Sequence, residues 1–65
     1  MEKLTEREIS ILKEARFGLS NDQISKNLYI TIHTVKAHLS SVMKKLGAKN
    51  RCEAIYIAVK NNIID

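Results

Sequence analysis

The feature of this sequence best suited to chemistry is a run of basic side chains that no acidic side chain interrupts. All the charged residues between positions 26 and 51 are cations, namely Lys26, Lys36, Lys44, Lys45, Lys49 and Arg51. The segments on either side each have one more acid than base, so the middle of the chain accounts for the formal net charge of +4. Because solvated surfaces normally mix both signs, this concentration of charge predicts a polyanionic partner.

Other kinds of chemistry find little support in the residues. The sequence has no paired carboxylates, no nucleophile with an adjacent base and no glycine-rich loop, so we do not expect an enzyme. The spacing of His33, His38 and Cys52 matches no zinc signature, and we expect neither a metal nor a cofactor. A single cysteine excludes an internal disulfide and is typical of a reducing compartment.

Length and composition indicate one small globular domain over residues 1–65. Hydrophobic residues make up 45% of the chain and charged residues 28%, which is too apolar for a disordered segment. No apolar run approaches the roughly 18 residues of a membrane span, and the first ten residues lack the apolar core of a signal peptide. We therefore expect a cytoplasmic protein that does not enter the membrane.

Helix start and stop signals predict an all-α fold with four helices. Each predicted start has a side chain that can accept a hydrogen bond from the first turn: Thr5 (with Glu8), Ser20 (with Gln23), Thr31 and Asn50 (with Glu53). The predicted ends lie at Arg16 before Gly18, at Asn27 or Leu28, at Leu46 before Gly47, and at Asn61 or Asn62. The predicted core consists of Ile11, Leu12, Ala15, Ile24, Leu28, Ile30, Val35, Leu39, Val42, Leu46, Ala54, Ile55, Ala58 and Ile63.

Helix three, near residues 32–46, has two contrasting sides. Its apolar stripe is Val35, Leu39, Val42 and Leu46, and the opposite side has His33, Lys36, Ala37, Ser40 and Lys44. Ser41, like Ala37 and Ser40, is small enough for a close approach of the helix to another surface. A compact, acid-free face with a rim of cations suits the major groove of DNA, which admits one helix. Helices two and three together are typical of a helix-turn-helix, in which Ser20 and Asn21 open the helix that crosses the phosphate backbone.

Helix four has more apolar side chains than one buried stripe requires. Residues 54–59 are six apolar residues in succession, so Tyr56, Ile57 and Val59 are predicted to form an exposed patch. A small domain can simply leave such surface exposed. We favour the alternative that the patch pairs two copies of the chain, because twofold pairing would place two recognition helices about 34 Å apart, one turn of DNA.

The sequence also resembles the DNA-binding domain of the LuxR/FixJ/GerE type. The resemblance extends from residue 4 to about residue 63. It rests on Leu4-Thr5-x-Arg7-Glu8, Leu12, Gly18, Ser20-Asn21, Ile24, Leu28, Thr34-Val35-Lys36-x-His38, Lys45-Leu46-Gly47 and Asn50-Arg51. It implies a four-helix bundle of helix-turn-helix type that regulates transcription as a dimer.

The resemblance also implies roles for individual residues. Lys36, Ala37 and Ser40 occupy positions that meet base edges in the family, and Ser20, Asn21, Thr34, Lys44 and Lys45 occupy positions near phosphates. His33 is either a further contact to DNA or an unengaged surface residue. We interpret His38, on the flank of the apolar stripe, as a half-buried structural histidine.

Two questions about partners and context stay open at this point. Double-stranded DNA and a second copy of the chain are the expected partners, and RNA polymerase is a further candidate for a transcription regulator. The alternative is a protein-interaction module that uses helix four and the basic face of helix three. In most relatives a sensor or phospho-receiver domain precedes this domain, so the chain is either an excised effector domain or a stand-alone regulator.

Overall fold

The computed structural model describes residues 3–65; Met1 and Glu2 lie outside the described residues. In chain order the helices are α1 (Glu6–Arg16), α2 (Asn21–Leu28), α3 (Ile32–Leu46) and α4 (Arg51–Lys60). No strand occurs within residues 3–65, and the predicted all-α fold is confirmed.

The four predicted N-caps each accept a hydrogen bond from the backbone three residues further on. At α1 the cap is reciprocal, because the Glu8 N–H donates to Thr5 Oγ1 over 3.2 Å and the Thr5 N–H donates to Glu8 Oε1 over 2.9 Å. Ser20 and Gln23 repeat this pattern at α2. These local bonds satisfy backbone donors that a helix start would otherwise leave unpaired, so the starts follow directly from the sequence.

The turn between α2 and α3 contains a left-handed backbone conformation that the sequence does not predict. Tyr29 ends α2 with φ 57° and ψ 41°, in the left-handed region, and its side chain is 95% exposed. The N–H groups of Tyr29 and Ile30 both donate to the Ser25 carbonyl, which closes the end of the helix. The turn thereby lets Ile30 pack against the core next to α3.

Helix α3 lies at the centre of the domain and packs against each of the other three helices. One core cluster joins α1, α3 and α4 through residues that include Leu12, Val42 and Ala58. The other joins α1, α2 and α3, with Ile24 and Val35 fully buried. A helix held along two sides in this way has one remaining side free for solvent or a ligand.

Most of the predicted core is confirmed, with two kinds of correction. Four residues predicted to be buried are only partly buried and lie at the margins of the clusters: Leu28, Ile30, Ile55 and Ile63. Four buried residues were not predicted: Leu4, Glu8, Ser25 and Ile64. Leu4 and Ile64 lie near the two ends of the chain, where helical periodicity gives no signal, and both pack into the cluster of α1, α3 and α4.

Candidate nucleic-acid interface

The outward side of α3 presents the residues that the sequence assigned to it. His33, Lys36, Ala37, Ser40 and Lys44 are all exposed, whereas Val35 and Val42, on the opposite side, have no exposed surface. Lys36, Ser40 and Lys44 follow one another at intervals of four residues, so they form a line along about two turns of the helix. We call the five exposed residues the α3 face.

No carboxylate of the described residues neutralises the positive charge of the α3 face. In the part of the chain that the structure describes, ion pairs form only between Lys26 and Asp22 and between Lys45 and Glu8. No carboxylate of residues 3–65 therefore lies within 4.0 Å of the Lys36 or Lys44 ammonium. Ser40, Ser41 and Lys44 line an open depression of about 320 Å³ on this side of α3.

Ser41 and Lys45 are half-buried beside the α3 face, and the polar group of each is directed to Glu8. The Lys45 ammonium donates to Glu8 Oε1 over 2.8 Å, and the Ser41 hydroxyl donates to Glu8 Oε2 over 2.8 Å. The prediction that Ser41 belongs to the outward surface is therefore corrected in part: Ser41 lines the depression with Ser40 and Lys44, but its hydroxyl donates to a buried carboxylate. A phosphate contact of Lys45 stays a prediction, and it requires the ammonium to be shared with Glu8 or withdrawn from it.

Glu8 is the buried anion around which α1 and α3 are joined. It is 3% exposed and accepts hydrogen bonds from Thr5, Ser41 and Lys45. Burial by itself would raise the pKa of Glu8, but the hydrogen bonds from Lys45, Thr5 and Ser41 and the positive charge of Lys45 outweigh it. Together they lower the pKa of this carboxyl from 4.5 to about 2. The sequence reveals only the local bond to Thr5, because Ser41 and Lys45 lie 33 and 37 residues away along the chain.

Three further residues assigned to phosphates lie at the N-terminal ends of α2 and α3. Ser20 is exposed, and Asn21 and Thr34 are half-buried. The Thr34 hydroxyl lies 2.9 Å from that of Thr31, so it shares in the cap of α3. Arg51, from the start of α4, reaches the same region: it donates to Asn21 Oδ1 over 2.9 Å and to the Leu19 carbonyl over 3.0 Å. Sequence reasoning had given Arg51 no role beyond its charge and its place in the family pattern.

The apolar patch of α4 is narrower than predicted. Tyr56 is 63% exposed and Val59 is 39% exposed, but Ile57 packs against the core cluster of α1, α3 and α4. The prediction that Ile57 belongs to an exposed patch is therefore corrected, because Ile57 is half-buried. The Lys60 ammonium lies 5.9 Å from the centre of the Tyr56 ring, so this surface combines an aromatic face with a cation.

The remaining chemically distinctive residues lie apart from one another. Within residues 3–65, no three His, Cys, Asp or Glu side chains are placed to hold a metal ion. Cys52 is exposed in the first turn of α4, and His38 is half-buried beside the apolar stripe of α3, as interpreted from its position. None of the four helices is long and apolar enough to cross a membrane.

Two curated proteins and one solved structure illustrate what this chain is similar to. It is 43% identical over 60 residues to the transcriptional regulatory protein LnrK of Bacillus subtilis, an alignment that covers 92% of this chain and 27% of LnrK. It is also 43% identical over 63 residues to the response regulator VraR of Staphylococcus aureus, covering 97% of this chain and 30% of VraR. The crystal structure of the response regulator ChrA of a heme-sensing two-component system matches with a TM-score of 0.93 at 42% identity, over 98% of this chain and 32% of ChrA.

The chain therefore spans about a third or less of the length of these proteins. Residues 2–58 match the family model described as bacterial regulatory proteins of the luxR family. With this match, and with four helices arranged as in a response-regulator DNA-binding domain, the chain belongs to the LuxR family of bacterial transcription regulators, as its helix-turn-helix domain.

Proposed function

We propose that this domain binds double-stranded DNA sequence-specifically, with α3 in the major groove, and thereby regulates transcription. The α3 face would meet the base edges through His33, Lys36, Ala37 and Ser40. The phosphate backbone on either side would be bound by Ser20, Asn21, Thr34 and Lys44. Lys45 would contribute to the extent that its ammonium is shared between Glu8 and a phosphate.

The observation that supports this proposal best is the uncompensated charge of the α3 face. An exposed helix normally gains stability from acid–base pairs at intervals of four residues, and α3 has no acid along its length. No carboxylate of residues 3–65 pairs with Lys36 or Lys44, so a polyanionic partner would supply their counter-charge. The exposed side chains between them are small, which allows the helix backbone to approach the floor of a groove about 12 Å wide.

We further propose that two copies pair through the exposed part of α4, formed by Tyr56 and Val59 with Ile57 at its inner edge. Pairing would cover an aromatic ring that is 63% exposed and would present two α3 helices to two half-sites about 34 Å apart. RNA polymerase is a further proposed partner, since a transcription regulator acts on the enzyme that transcribes its target.

The experiment that tests the function is in vitro selection of random duplexes by the purified chain. Enrichment of a palindromic sequence would support both base readout and twofold assembly, and a single half-site would support readout by a monomer. If no duplex were enriched while one protein bound tightly, the protein-interaction alternative would replace this proposal.

Replacing Lys36 with Ala should weaken binding to the selected duplex by about 1–3 kcal/mol, because Lys36 would donate to a base edge. The base preference at one position of the site should flatten at the same time. Fluorescence anisotropy on the selected duplex and on its single-base variants would measure both effects. An equal loss on all duplexes would show that Lys36 contacts only a phosphate.

The matched control is Lys13→Ala, which removes the same charge from the exposed surface of α1 and should change affinity little. A salt titration of the unmodified domain completes the measurement. About five phosphate contacts predict a log–log slope of affinity against salt of about −4 to −5. A slope near zero would reject the electrostatic part of the proposal.

A further inference from the structure

Arg51 occupies a position between two helices that do not otherwise meet. No Cα atom of α2 lies within 8 Å of one of α4, yet the half-buried guanidinium of Arg51 reaches from the first residue of α4 to Asn21 and Leu19 at the start of α2. Within residues 3–65, these are the only side-chain hydrogen bonds that join this end of α2 to α4.

Both acceptors of Arg51 are neutral. The guanidinium donates to an amide oxygen and to a backbone carbonyl, and no carboxylate of residues 3–65 lies within 4.0 Å of it. The acids on these two helices are engaged elsewhere: Asp22 pairs with Lys26, and Glu53 accepts from the backbone N–H of Lys49 over 2.7 Å. A full positive charge therefore stays beside the start of α2, where the helix dipole is also positive and a cation is unfavourable.

The hydrogen bond to Asn21 also fixes the orientation of its amide. A guanidinium has donors only, so the Asn21 oxygen must face Arg51 and the two N–H donors of the amide must point away from it. An amide held in this way can donate to an anion, whereas a free amide could equally present its oxygen.

We propose that Arg51 is a positioning residue for DNA binding, which turns the Asn21 amide toward a backbone phosphate and adds its charge to the field at that point. This proposal rests on the proposed function, because it assigns the phosphate at the start of α2. The unfavourable accumulation of positive charge in the free domain is relieved when the phosphate arrives, so the arrangement favours the bound state over the free one.

The decisive variant is Asn21→Asp. An aspartate at this position keeps an acceptor for Arg51, gains an ion pair with it and suits the first turn of a helix, so thermal stability should stay unchanged or rise. It loses the two amide donors and faces the phosphate with a negative charge, so affinity for the selected duplex should fall at least about 10-fold. Gln23→Glu is the matched control, because it adds the same charge in the same turn while preserving the capping box with Ser20, and it should cost less than about 3-fold.

Arg51→Gln, Asn21→Ala and the double variant Arg51→Gln/Asn21→Ala test the coupling. If Arg51 acts through Asn21, the sum of the affinity losses of the two single variants should exceed the loss of the double variant. For Arg51→Gln, the salt slope should also become shallower by about one. A stable Asn21→Asp variant that binds the duplex as tightly as the parent would overturn the proposal and leave Arg51 a structural link only. If the parent chain bound no duplex at all, the proposed function would fail instead.

Discussion

Replacing Lys45 with Met is expected to lower the free energy of unfolding at pH 7 by about 3 kcal/mol. The methionine keeps the apolar stem of the side chain but leaves the Glu8 carboxylate, which is 3% exposed, without its cation. Removing one partner of a buried ion pair is costly because the remaining charge is desolvated and uncompensated. For a domain of 65 residues this loss is a large fraction of the whole stability.

Urea denaturation followed by circular dichroism would measure the loss. Lys44→Met is the matched control, since it removes the same group from the adjacent, exposed position and should change stability by no more than about 0.5 kcal/mol. Equal midpoints for the Lys45→Met variant and the parent would show that the pair between α1 and α3 contributes nothing to the fold.

The same ion pair predicts how stability depends on acid. Folding lowers the pKa of Glu8 from 4.5 to about 2, so the ionised carboxylate stabilises the folded state, and this contribution is complete above pH 4.5. It is lost as the pH falls toward 2, and a displacement of this size corresponds to about 3 kcal/mol. Other carboxyl groups titrate in this range, so the measurement compares the free energy of unfolding of the parent and of Glu8→Gln at each pH. The stability of Glu8→Gln should not show the part of the pH dependence that comes from the Glu8 carboxylate. Parallel stability curves for the two proteins from pH 5 to pH 2 would contradict the assignment.

Replacing Ser40 with Glu is expected to lower affinity for the selected duplex by about 100-fold or more. The α3 face then has an acid between Lys36 and Lys44, which are four residues away on either side and would pair with it. The variant thus removes two cations from the interface, brings a negative charge toward the phosphates, and fills the depression that Ser40 lines. Each of these effects acts in the same direction on binding, while the free domain should be as stable as the parent or slightly more stable.

Two controls separate the causes of this loss. Ser40→Gln adds nearly the same volume without the charge, so the difference between the two variants measures the electrostatic part. Asn62→Asp changes the net charge equally but at an exposed residue after α4, with φ 58°, a conformation that Asp tolerates, and it should leave affinity within about 3-fold of the parent. If Asn62→Asp weakened binding as much as Ser40→Glu, the α3 face would not be the specific site of contact.

The helices and the outward side of α3 were predictable because their causes are local. Thr5, Ser20, Thr31 and Asn50 each cap a helix through a bond to a residue three positions away, and such bonds can be seen in the sequence. The side of α3 that faces solvent follows from the position of its apolar stripe, because a regular helix has a fixed angle per residue. The conformation of Tyr29 was not predictable, since a tyrosine has no intrinsic preference for the left-handed region and adopts it here where the turn allows Ile30 to pack on the core.

By itself, then, the sequence determined the four helices, their caps, the family, and which side of α3 is polar, small and basic. Only the tertiary structure decided which cationic side chains have a partner within the domain and which partner each has. Among residues 3–65, Lys45 pairs with Glu8, Lys36 and Lys44 have no carboxylate partner, and Arg51 donates to Asn21. The physical reason is that a charge is neutralised or left free by its neighbours in space, and those neighbours are 30 to 37 residues away along the chain.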